Sequence, residues 1–106
     1  MKNGGTGFAV IYRWRIHPGH EEDFVTAWEA LTLGIRAERD GLGSRLHRAE
    51  DGTWVAYAEW PDRGAWERLQ DLESVDAPAS AAMKAAVAER FDPILLDPVR
   101  DLLAGD

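Results

Sequence analysis

The sequence predicts an α+β fold, with one antiparallel sheet and helices packed against a face of it. Three observations carry this. Apolar and polar side chains alternate with a period of two over 8–16, 44–49 and 53–60, the pattern of strands. Apolar residues recur at three- and four-residue spacing between and after these runs, the pattern of helices. The second and third strand segments meet at Glu50-Asp51-Gly52, which suits a hairpin and is far too short for a parallel crossover.

Each element has its own signal. Residues 2–7, KNGGTG, read as a flexible polar leader; its glycines precede a strand and no helix, so they make no phosphate cradle. In FAVIYRWRI, residues 8–16, Phe8, Val10, Tyr12, Trp14 and Ile16 share one face, and Ala9, Ile11, Arg13 and Arg15 the other. Pro18-Gly19 breaks the chain. His20, Glu21, Glu22 and Asp23 open a helix, where carboxylates complement the positive end of its dipole. Phe24, Ala27, Trp28, Leu31 and Ile35 form its apolar stripe, Gly34 weakens it, and Gly41 and Gly43 end it. A strand over 44–49 and another over 53–60 follow. On the latter, Trp54, Ala56, Ala58 and Trp60 face one way and Val55, Tyr57 and Glu59 the other. Pro61-Asp62 stops the strand, and a short helix buries Ala65, Trp66, Leu69 and Leu72. Residues 73–80 read as a loop, and 81–91 as a third helix with Met83, Val87 and Phe91 inward. In the last segment two readings compete. Asp97 before Pro98 resembles an N-cap with proline at the first helical position, whereas the Ile, Leu and Val cluster suits an edge strand.

With 106 residues the chain suits one domain over 8–106, and 45% hydrophobic content makes it globular. Its net charge of −7 repels phosphate, which argues against nucleic acid and anionic membrane as partners. The absence of cysteine excludes disulfides, thiol nucleophiles and cysteine-held zinc, and fits a cytoplasmic protein. The start has no long apolar run of the signal-peptide kind, and no stretch reaches the roughly 20 apolar residues of a membrane span.

The element order corresponds to the split β-α-β-β-α-β pattern of ferredoxin-like subunits, provided that the last segment is a strand. Helices cover only one face of such a sheet, yet the first and third strands carry large apolar groups on both. An identical chain, sheet against sheet, is the expected cover, giving a homodimer.

The runs FAVIYRWRIHPGHEEDFVTAWEAL and GSRLHRAEDGTWVAYAEWPDRGAWERL resemble the antibiotic biosynthesis monooxygenase superfamily, the dimeric α+β barrels. The marks are the first strand, Pro18-Gly19, the acidic helix start ending in Phe24, and Glu59-Trp60 before an Asp-Arg helix entry, together covering about 8–72. The resemblance implies a C-terminal strand, expected at 95–103, and a pocket between sheet and helices bordered by Trp60.

Ala56 and Ala58, small and flanked by Trp54 and Trp60, leave room above the sheet. Either a small hydrophobic aromatic molecule occupies that room, or Trp28 or Trp66 packs into it. His47 and Tyr57 are the proton-handling candidates, with Trp60 as a stacking wall; the other reading of His47 is a strand histidine beside Glu50 or Glu59. Arg13, Arg15, Arg45 and Arg48 lie on adjacent strands, where they hold a substrate anion or pair with the excess carboxylates; Arg13 is the candidate for the substrate. His17 and His20, in H-P-G-H, lack a third ligand and imply no metal. Measured against the family, Tyr12 and Gln70 stand where haem-degrading members carry asparagine and histidine, and Ala56 where quinone-forming members carry asparagine. The expected activity is cofactor-free oxygenation of an aromatic, quinone- or polyketide-like molecule. The alternative is a non-catalytic binding or stress-associated module of the same fold.

Overall fold

The computed structural model describes residues 7–103; of the expected leader only Gly7 falls among them. The elements are β1 (Phe8–Ile16), α1 (Glu21–Glu38), β2 (Gly43–Arg48), β3 (Trp54–Trp60), α2 (Arg63–Gln70), α3 (Ala77–Ala86), β4 (Val87–Arg90) and β5 (Ile94–Leu96). The sheet runs β2-β3-β1-β4, with β5 also on β1, and every pairing is antiparallel. This is the expected α+β architecture.

Register decides which side chains meet. Phe8 faces Trp60, Val10 faces Ala58, Tyr12 faces Ala56 and Trp14 faces Trp54. Ser44 lies opposite Ala58 and Leu46 opposite Ala56. Paired residues point to the same face of a sheet, so all of these lie on the helix side. There Phe8, Val10, Trp60 and Ala65 form one buried cluster, and Trp14, Phe24, Ala56 and Ala86 another. The helix starts follow the sequence. Asp62 caps α2 by accepting from the Ala65 amide at 2.8 Å, and Asp76 caps α3 by accepting from Ala79 at 3.0 Å. Gly52, at φ +90°, makes the hairpin turn, and Asp51 Oδ1 accepts from both the amide and the hydroxyl of Thr53.

Three expectations at the C-terminal end need correction. The loop expected over 73–80 ends at Asp76, since Asp76 and Pro78 start α3 early. The helix expected over 81–91 stops at Ala86, and Val87–Arg90 is a strand. Cross-strand contacts outweigh local helix propensity there: Arg15 pairs with Glu89 at 3.4 Å, the guanidinium groups of Arg13 and Arg15 lie over the Phe91 ring, and the Phe91 amide donates to the Arg13 carbonyl at 3.1 Å. The last strand is also shorter than expected: 95–103 becomes Ile94–Leu96, and Asp97-Pro98 starts no helix. Thus β4 and β5 together do the work of a fourth strand along one edge of β1.

A bulge separates the two β1–β4 registers. Arg15 faces Glu89 while Ile16 faces Val87, leaving Ala88 as the extra residue. The extra residue turns both Val87 and Arg90 to the helix side, although they are three positions apart.

Candidate functional site

A cavity of about 530 Å³ opens between the sheet and the helices. Its origin is a row of small side chains. Ser44, Ala58 and Val10 lie side by side across three strands, whereas the next row, Leu46, Ala56 and Tyr12, is filled by its outer members. Trp60, Trp28, Tyr12 and Trp14 form the aromatic walls; Leu31, Ile35, Leu69, Met83 and Val87 complete the apolar lining. A second recess of about 600 Å³ along β2 shares Trp28, Thr32, Arg36, Gly43 and Ser44 with the cavity, so the space continues outward past the β2 edge.

Several lining residues carry polar groups. Trp60 is 3% exposed, and its indole Nε1 has no hydrogen-bond partner among the described residues. The Ser44 hydroxyl is likewise buried and unpartnered. The Tyr12 hydroxyl accepts from Trp66 Nε1 at 2.8 Å, which leaves its own proton free to donate. Burial pushes the Tyr12 pKa up, opposed in part by the Trp66 hydrogen bond and the Arg90 charge, so the phenol keeps its proton at neutral pH. Arg36 from α1, Lys84 from α3 and Arg90 from β4 bring cations to the exposed rim. Glu59, the one lining carboxylate among the described residues, interacts with Tyr57, a residue of the outer face.

The site residues expected from sequence divide between the faces. Trp28, Ala58 and Trp60 line the cavity together. Ala56 is covered, 1% exposed, in the cluster with Trp14 and Phe24. Trp66 stands behind Tyr12 and does not line the space. His47, Tyr57 and Arg13 lie on the outer face, their register alternating with that of the inward residues. There Arg45 Nε donates to His47 Nε2 at 2.9 Å, while His47 Nδ1 lies 3.3 Å from the Val55 carbonyl. Both ring nitrogens of His47 are thus engaged on the outer face. Burial first, then the Glu59 carboxylate, raises the Tyr57 pKa.

His17 and His20 sit edge to face, 5.9 Å apart, in an exposed turn, and among the described residues no three His, Asp or Glu side chains gather as a metal site. No helix among these residues is long and apolar enough to cross a membrane.

Sequence reasoning passed over Tyr12, Ser44, Arg36, Lys84 and Arg90. For Tyr12 the signal was present: it shares the face of Val10 and Trp14. For Arg90 it was hidden, because the bulge at Ala88 that turns it inward has no mark in the local sequence.

Comparison with known proteins agrees with this architecture. The cofactor-independent oxygenase SnoaB from Streptomyces nogalater superposes with a TM-score of 0.74 at 17% identity, over 92% of this chain and 98% of that one. Rv0793 from Mycobacterium tuberculosis gives 0.71 at 18% identity, over 91% and 98%. PA3566 from Pseudomonas aeruginosa gives 0.68 at 24% identity, over 93% and 100%. At these identities the likeness is one of fold. No protein of curated function matches the chain. The model of the antibiotic biosynthesis monooxygenase family matches residues 7–89, and the chain belongs to that family.

Proposed function

We propose that this protein is a cofactor-free monooxygenase acting on a planar aromatic molecule bound between sheet and helices. The observation that carries the reading is the 530 Å³ cavity over Ser44 and Ala58, walled by Trp28, Trp60 and Tyr12, in a chain of this family. A ring system fits such a slot because aromatic faces stack on aromatic walls.

The chemistry asks little of a catalyst beyond binding and charge stabilisation. An activated ring CH₂ loses a proton, and the resulting carbanion supplies electrons to dioxygen. The carbon hydroperoxide that forms then breaks its O–O bond and its remaining C–H bond, leaving a carbonyl and water. The balance is CH₂ + O₂ → C=O + H₂O, with the substrate giving all four electrons. The rim cations stabilise the deprotonated substrate. Tyr12, protonated and already oriented by Trp66, donates to the peroxide oxygen that leaves as water. Proton handling thereby passes from His47 and Tyr57 to Tyr12.

The outer face has a separate role on this reading, as the contact with a second copy. Ile11, Val55 and Tyr57 are half-buried there, and the C-terminal residues Val99, Leu102 and Leu103 are 93%, 88% and 76% exposed. Apolar side chains so exposed at the end of a chain suit burial against a homodimer partner. Residence in the cytoplasm belongs to the same reading.

Anthrone, with its acidic central CH₂, tests the activity. The purified protein consumes one O₂ per anthraquinone formed, and Ala58→Leu abolishes the rate above the spontaneous reaction. One specific observation favours the non-catalytic alternative: no histidine lines the cavity, so there is no imidazole base in it. That alternative keeps anthrone binding and shows no added O₂ consumption.

A further inference from the structure

The cavity's charge and hydrogen-bonding character differ from those of the chain around it. The chain carries a net charge of −7, yet among the described residues Arg36, Lys84 and Arg90 stand on the cavity lining against the single carboxylate of Glu59. That carboxylate interacts with Tyr57, and Tyr57 is on the outer face. Of the lining residues, Trp60 and Ser44 each carry a polar atom that is covered by protein and has no partner among the described residues. Tyr12 has a proton to give, its oxygen being occupied by Trp66.

We propose that the ligand of this cavity is a planar aromatic anion, a phenolate or carboxylate rich in acceptor oxygens. Its rings lie over Ala58 against Trp60. Its charge is held by the cations of the rim. This rests on the reading of the cavity as a ligand site and adds the sign of the ligand's charge. A corollary concerns the reaction. With no imidazole in the lining, the site favours the ionised substrate by its field, and the substrate's proton leaves to solvent past the exposed rim.

A matched pair of probes tests the proposal. 2-Naphthoate and 2-naphthamide have nearly the same shape and differ in charge. Titrated by calorimetry at pH 8, 2-naphthoate binds the wild-type protein about tenfold more tightly than the amide, the scale of a few partly exposed charge contacts acting together. The preference falls as salt is raised, and falls to about twofold or less in Lys84→Gln/Arg90→Gln, whose altered side chains are solvent-exposed and leave the core untouched. Equal affinity for the two probes, or a preference that neither salt nor the double substitution changes, overturns the anion proposal and leaves the cavity a binding site. Failure of 2-naphthoate to bind, with binding of neutral anthrone, also overturns the anion proposal alone. Failure of all three overturns the binding-site reading as well.

Discussion

Tyr12 shows how much a single position depends on its neighbours. In the sequence it is one aromatic residue of a strand; in the fold its hydroxyl joins Trp66 to the cavity. Tyr12→Phe leaves the Trp66 N–H without its acceptor, at a cost of about 1–3 kcal/mol, and is expected to lower oxygenation more than it lowers anthrone affinity. The pH dependence follows from the raised pKa. The folded chain holds the phenol proton more tightly than the unfolded one, whose tyrosine titrates near 10.0. The contribution to stability is therefore complete below about pH 10 and is lost as pH rises from there through the folded value. A melting series from pH 8 to 11 shows that decline, and Tyr12→Phe flattens part of it. His47 and Tyr57 are titratable side chains of the same strand pair, but the period of two sends them away from Trp60. That separation was legible from alternation alone, since His47 lies out of phase with Leu46 and Tyr57 with Ala56 and Ala58.

Among the elements, the first three strands and first two helices were legible because alternation, helical spacing and breakers such as Pro18-Gly19 and Pro61-Asp62 all agree there. From 77 onward local signals misled. Ala-rich sequence and a continuing helical pattern extend past Ala86, but the pairing of Arg15 with Glu89 and the packing of Phe91 under two arginines draw the chain onto the sheet edge. Non-local contacts of this kind leave no trace in a short window. Gly34 likewise read only as a weakness of α1. A Cβ there would lie 2.7 Å from Val75 Cγ2 and 3.2 Å from Val75 Cβ, so the glycine admits the segment that leads into α3. Gly34→Ala is expected to destabilise by about 1 kcal/mol or more through overpacking against a stiff side chain, despite the helix propensity gained. Val75→Ala in the same chain restores the loss, which a denaturant titration of the four proteins measures.

At the level of the whole molecule, the inner face of the sheet holds the cavity, and the outer face is the one proposed above to meet a second copy. Light scattering of the purified protein should give about twice the 11.8 kDa chain mass. Ending the chain after Leu96 removes Val99, Leu102 and Leu103 and should shift the population toward monomer; an unchanged dimer would remove the tail from the interface.

The two alanines of β3 test the account most directly, because a filled core and an open site respond in opposite ways. Ala56 is covered by Trp14 and Phe24, so Ala56→Leu should overpack and cost about 1–3 kcal/mol. Ala58 borders the cavity, and Ala58→Leu adds apolar volume to free space. The decisive measurement is the thermal melt of Ala58→Leu beside wild type. The account predicts a midpoint unchanged or slightly raised, with aromatic binding lost. A drop of several degrees, the effect of about 1 kcal/mol in a domain of this size, would show that the space over Ala58 is packed core, and the site proposed here would not exist.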